Sequence, residues 1–521
     1  MGTGSTMKAR TFWVAAALLG AGCAPGATPE PPRFPGLPGV ELARFAGEVD
    51  PATGTVAIRM LDASSPGSAR DRVVIPSGAS SVTIANSGSA WNNAKSPTAA
   101  CSNANVTGAN VIITQKYGQS SSPSFLGAVY AQIDTVSASG TQACNNAPKP
   151  TGLSDAYGLW SYGSLNWGTP TAAAASSTVE WDWTWTSGSR FTFSGTIQGV
   201  MGDLVSTGLD PACNWYSCIV YDGSHVVYAS ASTARLLFVN LDGSHAITSD
   251  LLPAKGTSLA ADAVNGRVWF TTEELGGTGY AGYLSTTGTD VASRATAASA
   301  PTLGSIVIDP DGATKAWFLE TVTGSGGGSW VYSITVGAPP VLAFKGLGTG
   351  VANGLAILGS GAAKRIYVTY RGLDIIEQYD SDVVLQGTVS SGTLTAAGCR
   401  GPAEIISDTA GGKLWFSAET SGAVCTLTPA LSVAQVGAIT NPRGLVQAPS
   451  NDRVWAVSFS DTTTPGQVQR MIPGDPPFPV AVPGTSTLQS ITASPAVAGT
   501  PAYPEALWIT NGAGGLVRLR P

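Results

Sequence analysis

The sequence predicts an all-β protein in which an N-terminal β-sandwich is followed by a C-terminal β-propeller. Only 12% of its 521 residues are charged, and 64 Gly and 34 Pro are present. Such a composition suits short strands joined by tight turns rather than helices. Runs with a period of two follow one another in the first part of the chain, and a repeat of 40 to 53 residues fills the second part.

Residues 41–203 are predicted to form the sandwich, of immunoglobulin-like type, from about eight short strands. The clearest strand is VEWDWTW at 179–185, where Val and three Trp share one face and Glu, Asp and Thr share the other. The Trp side chains are expected to fill the core between two sheets. The alternative is an exposed platform on which sugar rings stack.

Residues 204–521 carry a strand with a central aromatic residue that recurs seven times. The aligned aromatics are Tyr228, Trp269, Trp317, Tyr367, Trp415, Trp455 and Trp508. A repeat of this length with three or four strands is typical of a propeller blade, so seven blades are predicted, each aromatic packing one blade against its neighbour. The last copy has three strands, and a strand near 204–208 is expected to complete it. An irregular array of sandwiches is the alternative.

The N-terminus predicts export. Residues 1–22 are predicted to be a signal peptide. Lys8 and Arg10 precede an apolar run at 12–22, and this run is shorter than the roughly 20 residues that span a bilayer. The segment LGAGC at 19–23 resembles a bacterial lipobox, although Leu19 lies four residues before the Cys rather than three. The resemblance implies that Cys23 carries lipid, palmitate included. An ordinary cleaved signal with an incidental Cys is the alternative, and either Met1 or Met7 can be the start.

Residues 23–40 are predicted to be a Pro-rich tether. Ala24 and Pro25 follow the Cys with no Asp, which by resemblance to lipoproteins of diderm bacteria implies the outer membrane or the cell surface. A net charge of −6 without a basic block argues against nucleic acid as a partner. The expected partners are the membrane, through the lipid anchor, and an envelope protein or glycan.

Six further Cys, an even number, predict disulfide bonds in an oxidising compartment. Proximity in the sequence favours one pairing among the possible ones, which is Cys101–Cys144, Cys213–Cys218 and Cys399–Cys425. No C-x-x-C motif occurs, so the pattern does not favour a metal site.

Two units, GPAEIISDTAGGKLWFSAETSGAV at 401–424 and NPRGLVQAPSNDRVWAV at 441–457, resemble the repeats of NHL-type and streptogramin-lyase-type (virginiamycin B lyase) propellers. The resemblance covers about 212–521 and implies the fold. The lyase family uses a His general base and Mg²⁺ in its later blades. Here the two His, His225 and His245, both fall in the first blade, so no His is available in the later blades and no catalytic residue is assigned. They lie in two DGSH turns that are predicted on one face. The two His are either water-facing turn residues or a joint metal site.

Acidic residues end comparable strands of the repeat and define a candidate binding face. They are Glu273, Glu274, Glu320 and Glu419, with Arg371 in the matching place. No cofactor is assigned, although carboxylates around a pore could hold Ca²⁺ or Mg²⁺ or meet a cationic ligand. Solvated loop acids are the alternative. The segment DPDG at 309–312 lacks the later ligands of an EF-hand and is predicted to be a turn.

The sequence therefore favours a lipid-anchored cell-envelope protein with a binding or scaffold role, since a full propeller repeat occurs without a catalytic constellation. The second hypothesis is a metal-dependent lyase or hydrolase that uses carboxylates on the propeller face. A purely structural envelope role is the third.

Overall fold

The structure is a computed structural model in which Gly36–Pro521 is one compact unit. The described residues all belong to this unit. They are 40–50, 52–53, 55–61, 82–86, 92–95, 106–115, 124–137, 142–144, 158–167, 175–184, 190–205, 217–230, 232–273, 278–299, 301–312, 314–322, 328–337, 341–347, 350–408, 411–448, 453–459, 466–473, 479–482, 488–497, 505–511 and 515–520.

The first ten described strands build two sheets. They are β1 (Val40–Asp50), β2 (Thr55–Leu61), β3 (Val82–Asn86), β4 (Asn92–Lys95), β5 (Val106–Gln115), β6 (Ser124–Val136), β7 (Gln142–Cys144), β8 (Leu159–Trp167), β9 (Ser176–Thr184) and β10 (Phe191–Val205). In one sheet β10 pairs with β1 and β6, which in turn pair with β2 and β8. In the other, β5 pairs with β3, β4 and β9, and β9 pairs with β7.

Aromatic side chains from both sheets form one core. Trp181 of β9 lies 5.6 Å, between ring centroids, from Phe45 of β1 and stacks on Trp160 at 4.6 Å. Trp181 and Trp183 are 2% and 1% exposed. The interpretation as an exposed sugar platform is therefore wrong for these two residues, because the alternation of β9 turns its apolar face inward. Trp185 lies outside the described residues.

The remaining described strands are short and follow one another as antiparallel meanders. They are β11 (Ile219–Tyr221), β12 (Val226–Ala229), β13 (Leu236–Val239), β14 (His245–Thr248), β15 (Lys255–Asp262), β16 (Arg267–Glu273), β17 (Thr278–Ser285), β18 (Ala292–Ser299), β19 (Pro301–Ile308), β20 (Lys315–Val322), β21 (Ser329–Thr335), β22 (Val341–Gly346), β23 (Gly354–Leu358), β24 (Arg365–Tyr370), β25 (Ile375–Tyr379), β26 (Leu385–Val389), β27 (Pro402–Asp408), β28 (Lys413–Ala418), β29 (Ala423–Leu427), β30 (Val433–Ala438), β31 (Pro442–Gln447), β32 (Val454–Ser458), β33 (Gln467–Met471), β34 (Pro479–Ala481), β35 (Leu488–Ser494), β36 (Ala506–Asn511) and β37 (Leu516–Arg520).

These strands group into successive sheets. Six sheets of four strands run from β11–β14 to β31–β34, and we number them one to six in chain order. Strands β35, β36 and β37 follow as the seventh group. Consecutive four-stranded antiparallel sheets are the units of a β-propeller.

A 3₁₀ helix at Gly361–Ala363 and an α-helix, α1, at Ser391–Ala396 are the helices of the described residues. No helix within the described ranges is long and apolar enough to cross a membrane.

The seventh group receives its fourth strand from the N-terminal part of the chain. Residues from Met201 to Val205 at the end of β10 pair with β37, and the Arg518 guanidinium donates to Asp203 Oδ2 at 2.7 Å. The sequence placed the completing strand near 204–208. The observed residues lie about three positions earlier, because they continue a strand whose first part pairs with β1. One strand thus belongs to both β regions.

The repeated aromatics lie between neighbouring sheets, as predicted. Trp269 of sheet two shares a cluster with Ile306 and Phe318 of sheet three, and Trp415 of sheet five shares one with Leu445 of sheet six. Several also hydrogen-bond the end of the first strand of their own sheet. Trp317 Nε1 donates to Asp309 Oδ2 at 2.7 Å. The aromatic therefore joins strands within a sheet as well as sheets to each other.

The Cys399–Cys425 disulfide bond is confirmed, with a Cα–Cα distance of 6.2 Å. It ties the loop before β27 to β29, and both sulfurs lie in a buried apolar cluster. Cys218 is also disulfide-bonded. Its predicted partner Cys213 lies outside the described residues, as does Cys101, so the two other predicted pairings stay predictions.

Candidate functional site

The first strands of the seven groups approach one another closely at equivalent positions. In each group, the repeated aromatic of the second strand pairs with a residue of the first strand, and the position of interest lies two residues before that partner. These residues are Ser217, Ser258, Ser305, Gly354, Glu404, Gly444 and Ser490. A Cβ atom on Gly354 would lie 2.3 Å from the Ala403 carbonyl oxygen, so a side chain there would collide with sheet five. Glu404 is the one acid at a level otherwise occupied by Ser and Gly.

The Glu404 carboxyl group connects three sheets. Its Oε2 accepts from the Leu445 N–H of sheet six at 2.6 Å, and its Oε1 accepts from Ser217 Oγ, beside sheet one, at 3.2 Å. Burial raises the pKa of Glu404 well above its usual value, the two hydrogen bonds lower it in part, and the nearby Glu419 raises it further. Glu404 is therefore a buried structural contact whose surroundings favour the neutral form of the carboxyl group. The sequence signal that could have identified it is an acid where the other repeats carry Ser or Gly.

Two residues of the predicted binding face, Arg371 and Glu419, lie together. Arg371 Nη1 donates to Glu419 Oε2 at 2.6 Å, and Arg443 Nε lies 3.7 Å from Glu419 Oε1. The Arg443 guanidinium also lies over the Phe459 ring, 4.4 Å from its centroid. Since Glu419 is held by two guanidinium groups, it is an ion-paired residue rather than a free carboxylate. Sequence reasoning missed Arg443, which belongs to the next repeat.

A groove of about 500 Å³ begins at Glu419 and runs between sheets five and six. Its lining residues are Glu419, Thr420, Ser421, Gly422, Ala438, Ile439, Thr440, Asn441, Gln467, Gln469 and Pro479. Most are neutral polar residues, and Glu419 is the one ionisable residue among them. Hydroxyl and amide groups that can donate and accept suit a ligand with alternating donors and acceptors, such as an extended peptide or a glycan.

The groove opens at the propeller edge where second strands turn into third strands. Two further features lie at this edge. Arg400 Nε donates to Asp374 Oδ2 at 3.1 Å, and Val351 and Leu373 are 50% and 48% exposed. This edge thus combines exposed apolar side chains, paired guanidinium groups and a polar groove.

The remaining acids of the predicted face do not join this groove. Glu273, at the end of β16, is half-buried, and burial raises its pKa. Glu320 of β20 was predicted to be an exposed strand-end acid. It is instead fully buried (0% exposed), because β20 continues two residues beyond it. Glu274 lies outside the described residues.

The two His lie at the opposite edge of sheet one. His225 follows the turn between β11 and β12 and lies 3.4 Å from Asp222 Oδ2, while His245 Nε2 lies 3.0 Å from Thr248 Oγ1. The two turns share one edge, as predicted, and neither His lines the groove. No three His, Cys, Asp or Glu side chains of the described ranges are arranged to hold a metal ion.

The segment 309–312 is a turn between β19 and β20, as predicted. Lys364 Nζ lies 2.7 Å from Asp309 Oδ1 and 2.5 Å from Asp311 Oδ2. Both carboxylates are therefore used to join sheet three to sheet four. This buried ion pair explains the second Asp of the turn without a calcium ion.

No protein-family model matches the chain, and no curated protein is significantly similar to it. The chain is similar in fold to several solved structures. One is a streptogramin B lyase, which is 16% identical with a TM-score of 0.48, and the match covers 61% of this chain and 97% of the lyase. A virginiamycin B lyase from Staphylococcus aureus has 17% identity, a TM-score of 0.47, and coverage of 62% and 99%. The Cps50 (Swd1) β-propeller domain of Myceliophteria thermophila has 9% identity, a TM-score of 0.46, and coverage of 61% and 98%.

Proposed function

We propose that this chain is an exported, lipid-anchored protein whose seven-bladed β-propeller binds an envelope protein segment or glycan in the groove between sheets five and six. The observation that carries the proposal is the groove itself. It has room for a few residues or sugar units, its walls are uncharged and carry several hydroxyl and amide groups, and its charged end is neutralised by two Arg. Paired charges and abundant amides favour recognition over proton transfer, which needs a group free to exchange protons.

Seven blades are supported by the sheet topology. Six four-stranded sheets and the group β35–β37, completed by β10, account for seven equivalent units. A strand from the beginning of the repeat region that pairs with the last one closes a propeller ring without leaving free edges. A closed ring is a rigid support on which loops can present a binding site.

The two-sheet core at β1–β10 supports an immunoglobulin-like sandwich that holds the propeller away from the membrane. Because β10 is shared, the two parts would move as one body. The lipid at Cys23 and the tether at 23–40 rest on the sequence pattern, and they give the sandwich a role as a spacer between bilayer and propeller.

The groove is tested by photo-crosslinking in intact cells. A photoreactive amino acid replaces Thr440, which is exposed in the groove, or Val264, which is 94% exposed in the turn at the opposite edge of the propeller. The proposal expects a discrete adduct, protein or glycan, from position 440 and none from position 264. Thr440→Trp, whose large side chain fills the groove, should abolish binding of the same partner. Identical adducts from both positions, or none from 440, would refute it.

A further inference from the structure

The side chains of Glu273 and Glu320 are both directed into the interface between sheets two and three, away from the groove. On β16, Trp269 packs against sheet three, and Thr271 Oγ1 donates to the Gly304 carbonyl of sheet three at 3.4 Å. Alternate residues of a strand share a face, so Glu273 is directed toward sheet three as well.

The side chain of Glu320 comes from the other side of the same interface. On β20, Trp317 and Leu319 pack with residues of sheet four, whereas Phe318 packs with Trp269 of sheet two. Glu320 shares the face of Phe318 and is therefore directed toward sheet two. Both acids lie near the ends of their strands at the same edge of the propeller, three or four residues beyond the repeated aromatic.

Within the described residues these carboxyl groups lack partners. Both Glu320 oxygens and Glu273 Oε2 are shielded from solvent and accept no hydrogen bond there. The cross-strand neighbours of Glu320 are Leu303 and Trp330, and neither donates to it in the described part of the chain. A buried carboxylate without hydrogen bonds is among the most costly groups in a protein interior.

Within the described ranges, no ion pair joins a cationic side chain to Glu273 or Glu320. Lys255 pairs with Glu273 across the sheet, yet its side chain is exposed and no ion pair joins the two within the described residues. A small inorganic cation could enter beside the half-buried Glu273 and contact the fully buried Glu320. A larger organic cation would not fit between closely packed sheets.

We propose that Glu273 and Glu320 are ligands of a Ca²⁺ ion bound between sheets two and three. Carboxylate oxygens are preferred ligands of Ca²⁺, and its variable coordination suits ligands supplied by two separate sheets. Mg²⁺ requires near-octahedral geometry, which such ligands do not readily provide. The ion would neutralise both carboxylates and fasten the two sheets together. This site is independent of the groove and does not require the proposed function.

Isothermal titration calorimetry and thermal unfolding test the site on the full-length chain, first stripped of metal with a chelator and then titrated with CaCl₂ or MgCl₂. The wild type should bind one Ca²⁺ with a Kd of about 0.1–1 mM, the range of extracellular modules, and its melting temperature should rise. Glu320→Gln and Glu273→Gln retain the side-chain shape and should each lose the calorimetric signal and the Ca²⁺-dependent rise.

Asp250→Asn is the matched control, because it removes one negative charge from an exposed residue and should bind Ca²⁺ like the wild type. Circular dichroism establishes that each variant is folded, so loss of binding cannot be confused with loss of structure. The proposal is overturned if the wild type binds neither ion up to about 10 mM, well above the expected Kd. It is equally overturned by tighter binding of Mg²⁺ than of Ca²⁺, or by unchanged Ca²⁺ binding in Glu320→Gln.

Discussion

Replacing Glu404 by Gln should stabilise the protein at alkaline pH and leave it almost unchanged at acidic pH. The carboxyl group is buried, and its pKa is raised well above the ordinary value of 4.5. The folded state therefore binds the proton more tightly than the unfolded state. The stability that this proton provides is fully present below 4.5 and is lost as the pH rises through the folded-state pKa.

The size of the stability change follows from the coupling of proton binding to folding and from the contacts of the Glu404 side chain. Each unit by which the pKa is raised corresponds to about 1.4 kcal/mol of folding free energy lost at high pH. Gln cannot ionise, its oxygen can accept from the Leu445 N–H, and its amide can donate to Ser217 Oγ, so the variant avoids this loss. Glu404→Ala should instead destabilise by about 2–4 kcal/mol even at acidic pH, because it leaves a buried N–H unpaired and creates a small cavity.

Urea unfolding followed by Trp fluorescence at about pH 4 and about pH 8 measures both effects. The expected result is that the wild type loses stability between the two values while Glu404→Gln loses less. Asp250→Asn, at an exposed position, is the control and should keep the pH dependence of the wild type. If the wild type and Glu404→Gln show parallel pH dependence, the carboxyl group is not a protonated contact between sheets one, five and six.

Three other predictions concern further parts of the chain. Lys364→Met should lower the free energy of unfolding, measured by urea titration, by about 3–5 kcal/mol, because it leaves the buried Asp309 without its cation. The control Lys255→Met, at an exposed position, should change this free energy by less than about 0.5 kcal/mol. Equal effects would contradict the ion-pair interpretation. The double variant Cys399→Ser/Cys425→Ser should lose about 3 kcal/mol, since the bond closes a loop with a sequence separation of 26; an unchanged melting temperature would argue against its structural role. Cys23→Ala should move the protein from membranes to the soluble fraction on cell fractionation, and retention in membranes would disprove the lipid anchor.

Much of the fold could be predicted from local patterns. The alternation at 179–185 predicted both a strand and the burial of Trp181 and Trp183, because a strand with one apolar face must bury that face. The recurring aromatics located the second strand of each sheet, and their role between sheets followed from their size and spacing. The Cys399–Cys425 pair followed from proximity in the sequence.

The candidate sites depended on contacts that no local pattern contains. Arg371 and Glu419 were predicted at equivalent positions of neighbouring repeats, but their ion pair and the contribution of Arg443 arise only when the sheets stand side by side. Glu320 looked like a solvated acid because its strand was expected to end there. Its burial was decided by β20 continuing further into the interface with sheet two.

The sequence by itself determined the class of the protein, the period of its repeat and the residues that fill its cores, because strand alternation and residue size act over a few neighbouring positions. The tertiary structure decided which distant residues meet. Ser217 and Glu404 are separated by 187 positions, and Asp203 and Arg518 by 315. Such contacts depend on how the sheets are arranged around a common centre, and that arrangement is set by the packing of the whole chain.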